Sequence, residues 1–193
     1  MRHIIGLLFC LATPIAAASP VTLSGSQLQK EFQHLQGLKK LSADFQQIRK
    51  VKAWGVDVKT SGHFAMKSGQ EEQVIWEIIK PAYSAMKMLP QGLFIRTAAS
   101  PQTPWQELKN RKVKAQMQTI FSWLRFDLKQ MQRDFEIRKL KKNQFQLFPK
   151  KQSTYFSSIT ILLNENRFVK TIVMKEPSDD SIEIHFSKTQ WTR

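Results

Sequence analysis

Between Val56 and Met66 the chain alternates. Val56, Val58, Thr60, Gly62, Phe64 and Met66 share one parity, and Asp57, Lys59, Ser61, His63 and Lys67 the other. A period of two is the mark of a strand with one buried face. After a turn at Ser68-Gly69-Gln70 the pattern returns: Val74, Trp76 and Ile78 stand against Gln73, Glu77 and Ile79, until Lys80-Pro81 stops the strand. Ser84, Met86 and Met88 predict a third strand, and Pro90-Gln91-Gly92 turns into Leu93–Ile95. A second run follows. Phe135 and Ile137 lead through Lys141-Lys142-Asn143 to Phe145 and Leu147, ending at Pro149. Ile159, Ile161 and Leu163 then alternate up to Asn164-Glu165-Asn166, a hairpin signal. Phe168, Lys170, Ile172 and Met174 come next, with Val169 and Val173 opposite. Beyond the tight connection Pro177-Ser178-Asp179-Asp180, Ile182, Ile184 and Phe186 alternate with Glu183, His185 and Ser187.

Two segments carry the helical period instead. Ser26 with Gln29 reads as a capping box, and Leu28, Phe32, Leu35 and Leu38 then predict an amphipathic helix over residues 26–38. In the middle, Val113, Met117, Ile120, Phe121, Leu124, Leu128 and Met131 form one apolar stripe, predicting a helix over residues 111–131, with Trp105 and Leu108 adding a preceding turn. The whole predicts about nine or ten short strands in meander order, interrupted by one central helix, and therefore an antiparallel sheet.

A large antiparallel sheet curls, and its apolar parity has to be covered. Two single-stripe helices are little cover for so many strands, so the fold class is mainly β with helices (α+β), a sheet wrapped around a helical plug that encloses an apolar cavity where the plug fits loosely. Met66, Met86, Met88, Met117, Met131 and Met174 sit on predicted inward stripes, and methionine suits a surface that accepts varied apolar shapes. Phe64, Trp76, Phe145 and Phe186 add large walls. The same stripes describe an ordinary core equally well. Burying a methylene is worth about 0.8 kcal/mol, so ten methylenes of an acyl chain bring about 8 kcal/mol before the costs of binding.

The N-terminus places this fold outside the cytoplasm. Arg2 and His3 precede an apolar run from Ile4 to Ile15, and Ala16-Ala17-Ala18 supplies small residues for cleavage, so residues 1–18 read as a secretory signal peptide and 19–193 as a single domain. The run is too short for a bilayer core of about 30 Å. Cys10 lies inside it and follows Phe9, where lipid attachment needs a small residue, so the mature chain is expected to be soluble, without thiol, disulfide or cysteine ligand.

Charge and chemistry narrow the classes further. With 30 Lys+Arg against 15 Asp+Glu, the formal net charge is +15, which attracts anionic partners. Export and the lack of exposed aromatics among Lys39-Lys40, Lys109–Lys114, Lys139–Lys142 and Lys150-Lys151 argue against nucleic acid and leave solvated faces or an anionic membrane surface. His34, His63 and His185 have no metal-ligand spacing, and His63 and His185 fall on polar faces. Glu71-Glu72 and Asp179-Asp180 read as turn carboxylates. No nucleophile elbow or phosphate-cradling glycine loop is present, so the expectation is no catalytic residue, no metal and no cofactor.

The order of motifs resembles the LolA family of periplasmic outer-membrane lipoprotein carriers. Leu41-Ser42-Ala43-Asp44-Phe45-Gln46-Gln47 is similar to that family's F-x-A-x-F-x-Q strand, Gly62–Lys67 to its G-x-L-x-V-K segment, and Trp76-Glu77 with Pro81 to its aromatic strand followed by proline. Phe135-Glu136-Ile137, Phe145–Lys150 and Ile182–Phe186 follow its later order. The resemblance implies an unclosed antiparallel half-barrel capped by helices. It also implies a non-catalytic role: accepting acylated lipoprotein from an inner-membrane donor and passing it to an outer-membrane acceptor. It further implies that Phe64, Met66, Val74, Trp76 and Ile78, joined by Met86 and Met88 on the same parity, line the acyl site, and that Val113, Met117, Phe121 and Leu124 belong to a lid. The family's K-R-P after this strand is Lys67-Ser68-Gly69 here, so the arginine that helps to hold the lid is missing, and Pro90-Gln91-Gly92 replaces its D-G. These departures leave the cargo open between lipoprotein and another lipid. The expectation is a monomeric periplasmic carrier; the alternative is a lipid- or lipoprotein-binding sensor or adaptor of an envelope-biosynthesis pathway.

Overall fold

Twelve strands pair antiparallel into one open sheet in a computed structural model that describes residues 20–69, 72–97, 102–110, 127–151, 153 and 155–193. In chain order they are β1 (Val21–Thr22), β2 (Lys40–Val51), β3 (Val56–Lys67), β4 (Gln73–Lys80), β5 (Ser84–Leu89), β6 (Gly92–Arg96) and β7 (Gln106–Glu107). The second series is β8 (Phe135–Lys141), β9 (Gln144–Pro149), β10 (Ser158–Leu163), β11 (Val169–Lys175) and β12 (Ser181–Thr192). Helix α1 spans Gly25–Phe32 and α2 spans Leu128–Asp134.

The spatial order is β1-β8-β9-β10-β11-β12-β2-β3-β4-β5-β6-β7. Two meanders, β2–β7 and β8–β12, are thus joined where the last strand lies beside β2, from Ser181↔Lys50 to Thr192↔Lys40. Edges remain at β1 and β7, so the sheet is unclosed. The single meander read from the sequence is corrected to this two-part order. Local alternation fixes which strands exist, but the pairing of chain-distant β12 and β2 is a tertiary choice.

The elements differ from expectation in three further places. The helix begins earlier: Ser24 is the N-cap, its Oγ accepting from Gln27 N while Gln27 Oε1 accepts from Ser24 N, so the capping box lies two residues before the Ser26–Gln29 pair. It also ends at Phe32, with Gln33–Leu35 tightening into a 3-10 turn. At Asp127 the backbone is non-helical (ψ 86°) and its carboxylate accepts from Gln130 N, capping α2; the helix predicted over 111–131 is therefore not continuous through 127. Trp105 precedes a short strand, not a helical turn, with Gln106 and Glu107 pairing Ile95 and Phe94.

Helices α1 and α2 cover the β8–β11 half of the concave face. Leu28, Phe32, Leu35, Leu38, Leu128 and Met131 are buried with Ile137, Phe145, Leu147, Ile159, Ile161 and Met174. Phe32 packs on Phe145 at 4.8 Å between ring centroids. Glu31 fixes α1 from its outer side. Its carboxylate accepts from Lys139 and, at 2.7 Å, from Arg167, whose guanidinium also donates to Glu31 O. Burial raises the Glu31 pKa, but these two cations outweigh it and hold the carboxyl below its ordinary range.

Candidate functional site

The β2–β6 half carries a different kind of surface. Register places Ala43, Phe64, Trp76, Met86 and Ile95 in one cross-strand row. The next row holds Trp191, Leu41, Met66, Val74, Met88 and Leu93. A third runs Phe186, Phe45, Gly62, Ile78 and Ser84. Residues opposite each other in a ladder point to the same face, so Phe64, Met66, Val74, Trp76, Ile78, Met86 and Met88 share one concave patch, as the sequence alternation predicts. Phe64, Met66, Val74 and Trp76 are buried, while Ile78, Met86 and Met88 are half-buried at its rim.

The patch is organised around a missing side chain. Gly62 lies between Phe45 and Ile78, and a Cβ there would stand 1.7 Å from Glu77 O, because a bulge between Ser61 and Gly62 brings the β4 backbone close. Over this bare backbone the Phe45 and Trp76 rings stack at 4.1 Å, and Phe64 and Phe186 meet Trp76 edge-on or tilted at 6.0 and 6.1 Å. Four aromatics and three methionines give an apolar wall whose rim methionines, Met86 and Met88, are unbranched and adaptable. An apolar cleft lined by Leu41, Ala43, Phe64, Phe168, Val169 and Phe186 encloses about 20 Å³, room for about one water.

Val113, Met117, Phe121 and Leu124 lie outside the described residues, as do residues 1–18 with Cys10. Met131 and Met174, also singled out by sequence, lie apart from this patch, Met131 on α2 and Met174 on β11, and both are buried in the core with Phe145. The wall also includes Leu41, Ala43 and Phe45, which the alternation along β2 marks, and the cleft is reached from outside any strand by Phe168, which no local pattern marks.

The outer face of the same strands is polar and ion-paired. His63 and His185 point outward but are not merely solvated: His63 Nδ1 lies 2.5 Å from Asp44, and His185 Nε2 2.9 Å from Glu183. Asp44 also accepts from Lys188, and that cation first, then His63, lowers its pKa. Tyr83 donates to Glu77 and accepts from Arg96, and Trp105 lies between Lys87 and Arg96 at 4.5 and 4.1 Å. The Asp179-Asp180 carboxylates lie in an exposed turn, as expected, and there meet the β2–β3 connection: Asp179 pairs with Lys52 Nζ and Asp180 accepts from Lys52 N. Among the described residues no three His, Cys, Asp or Glu side chains form a metal-binding group, and no helix is long and apolar enough to cross a membrane.

The profile of the outer membrane lipoprotein carrier protein LolA family matches residues 36–193. Among solved structures the fold is similar to a LolA superfamily protein from Nitrosomonas europaea (12% identity over 90% of this chain and 94% of that one, TM-score 0.46). It is also similar to an outer membrane lipoprotein-sorting protein domain from Vibrio parahaemolyticus (8%, 88% and 94%, TM-score 0.43). A third is a DUF1329 family protein from Desulfovibrio piger (9%, 86% and 91%, TM-score 0.45). No curated protein matches the chain.

Proposed function

Since the chain belongs to the LolA family, we propose that it is a periplasmic carrier that holds acyl chains of a lipoprotein or related lipid against the β2–β6 concave face and moves them between the inner and outer membranes. The observation that supports this reading best is the composition of that face. Phe64, Met66, Val74, Trp76, Ile78, Met86 and Met88 stand on one side of three adjacent strands, with methionine and isoleucine at the half-buried rim. Such a wall yields to a chain without losing a polar contact.

The mechanism is exchange of packing partners, with no bond made or broken. The cleft as it stands holds about one water, so loading has to part the rim methionines from their neighbours. A chain of ten buried methylenes contributes about 8 kcal/mol, and the self-packing it replaces subtracts from that figure. The net affinity is therefore moderate, as release to an acceptor requires. Ligand shifts the population from a self-packed state to a loaded one. Export after removal of residues 1–18 belongs to this reading, as does contact of the basic surface with anionic membrane.

Transfer tests it. Inner-membrane vesicles bearing radiolabelled lipoprotein are incubated with the purified mature protein and pelleted. A carrier brings label into the supernatant and then yields it to outer-membrane vesicles. Label that stays in the pellet, or that is bound and never passed on, counts against carriage.

A further inference from the structure

The concave row bearing Phe64 and Met66 continues along β3 through Gly62 and Thr60 to Val58 and Val56. β2 accompanies β3 along this whole length, but β4 pairs with it only from Ser61 to Lys67. β4 ends at Lys80, and Pro81 has no N–H with which to extend the ladder. Residues Val56–Thr60, about 17 Å of strand, therefore present an open edge among the described residues.

Open edges are normally blunted by lysine, proline, a bulge or short length, and Lys59, Pro81 and the bulge at Ser61–Gly62 limit this one at its middle and its far end. This one alternates Val56, Val58 and Thr60, all β-branched, on the concave side, and Val56 and Val58 are 48% and 46% exposed. Thr60 Oγ1, on the same row, is enclosed without a hydrogen-bond partner among the described residues. A cleft of about 380 Å³ lies across the neighbouring β2–β3 ladder, lined by Gln46–Ile48 of β2, Lys59–Ser61 of β3 and Lys80. On its outer side Asp57 faces Lys50 across the ladder, whereas Lys59 faces Ile48, so Lys59 and Lys80 leave the cleft positive.

We propose that this edge takes up an extended peptide as an added strand, namely the polypeptide tether of the acylated cargo, with apolar residues against Val56 and Val58 and an acidic residue at Lys59 and Lys80. Strand addition of this kind draws affinity from main-chain hydrogen bonds and specificity from alternate side chains. The inference rests on the carrier reading: acyl chains on Phe64 and Met66 would leave their tether heading along the same face towards Thr60.

The test uses the mature protein with three probes: a synthetic acylated peptide with an alternating valine–glutamate tail, the same peptide without acyl chains, and a fluorescent fatty acid. Hydrogen exchange is followed at residues 56–60. The acylated peptide should slow exchange there and the fatty acid should not. Val58→Lys and Lys59→Glu, both at exposed positions, should each weaken the acylated peptide about fivefold and leave fatty-acid affinity unchanged. Unaltered exchange with the acylated peptide, or full affinity in both variants, would overturn the proposal. If neither acylated probe binds, the carrier reading fails by itself. The unacylated peptide at high concentration then decides the edge alone: protection of residues 56–60 supports it, and unchanged exchange overturns it.

Discussion

Phe45 of β2 and Trp76 of β4 stack at 4.1 Å although a whole strand separates them. Neighbouring strands lie about 4.8 Å apart, so the two backbones are roughly 10 Å from each other. Gly62, on the strand between, faces Phe45 across the ladder and carries no side chain. The same glycine lets the β4 carbonyl at Glu77 approach.

Gly62→Ala should therefore be among the most damaging single changes. A Cβ 1.7 Å from a backbone oxygen cannot be relieved by a rotamer change, and a loss above about 3 kcal/mol is expected. Urea unfolding measures it; a variant within about 1 kcal/mol of the parent, the average mutational effect, contradicts the packing described.

Trp76→Ala should cost about 3–5 kcal/mol and Phe45→Ala a similar amount. Because each ring is the other's partner, the double variant should fall short of the sum by about 0.5–1.5 kcal/mol. A double-mutant cycle by chemical denaturation reads this coupling, and simple additivity would show the stack contributes nothing beyond area.

Met86→Arg and Met88→Arg address the rim. Both methionines are half-buried, so stability should change by no more than about 1 kcal/mol. Uptake of a fluorescent fatty acid should weaken about tenfold or more, since a charge must be desolvated to seat the chain. Unchanged uptake would move the acyl site elsewhere.

Glu31 carries a pH dependence. Its carboxyl is depressed in the folded protein by Lys139 and Arg167 against an ordinary value of 4.5. The stabilisation is complete above that value and is lost as pH falls through the lower folded one. Glu31→Gln should cost roughly 1–2 kcal/mol at neutral pH and flatten the loss of stability below pH 4.5. Thermal unfolding across this range checks it, and parallel curves for parent and variant would refute the assignment.

Alternation alone made most of the sheet legible. The strand at 56–67, its return at 73–80 and the shared face of Phe64, Trp76 and Met86 all follow from a period of two. Local pattern does not carry the β12–β2 pairing, which joins residues more than a hundred positions apart, such as Phe45 and Phe186. Nor does it mark Gly62 as a pivot, since the need for glycine arises from a bulge in the neighbouring strand. Two capping-competent serines, Ser24 and Ser26, stand within three residues, and the pattern of residues alone does not say that Ser24, with Gln27, forms the box. The methionines divided between two halves of one face because parity says which side a residue takes, not which helix covers it.

Native mass spectrometry of the protein freshly isolated from its native cells bears most directly on the central claim that the β2–β6 face is a seat for acyl chains. The expected spectrum contains complexes heavier than the bare chain by the mass of an acylated lipid or lipoprotein, and these disappear in Met88→Arg. A spectrum of bare protein alone, with no uptake of added fatty acid, would contradict it.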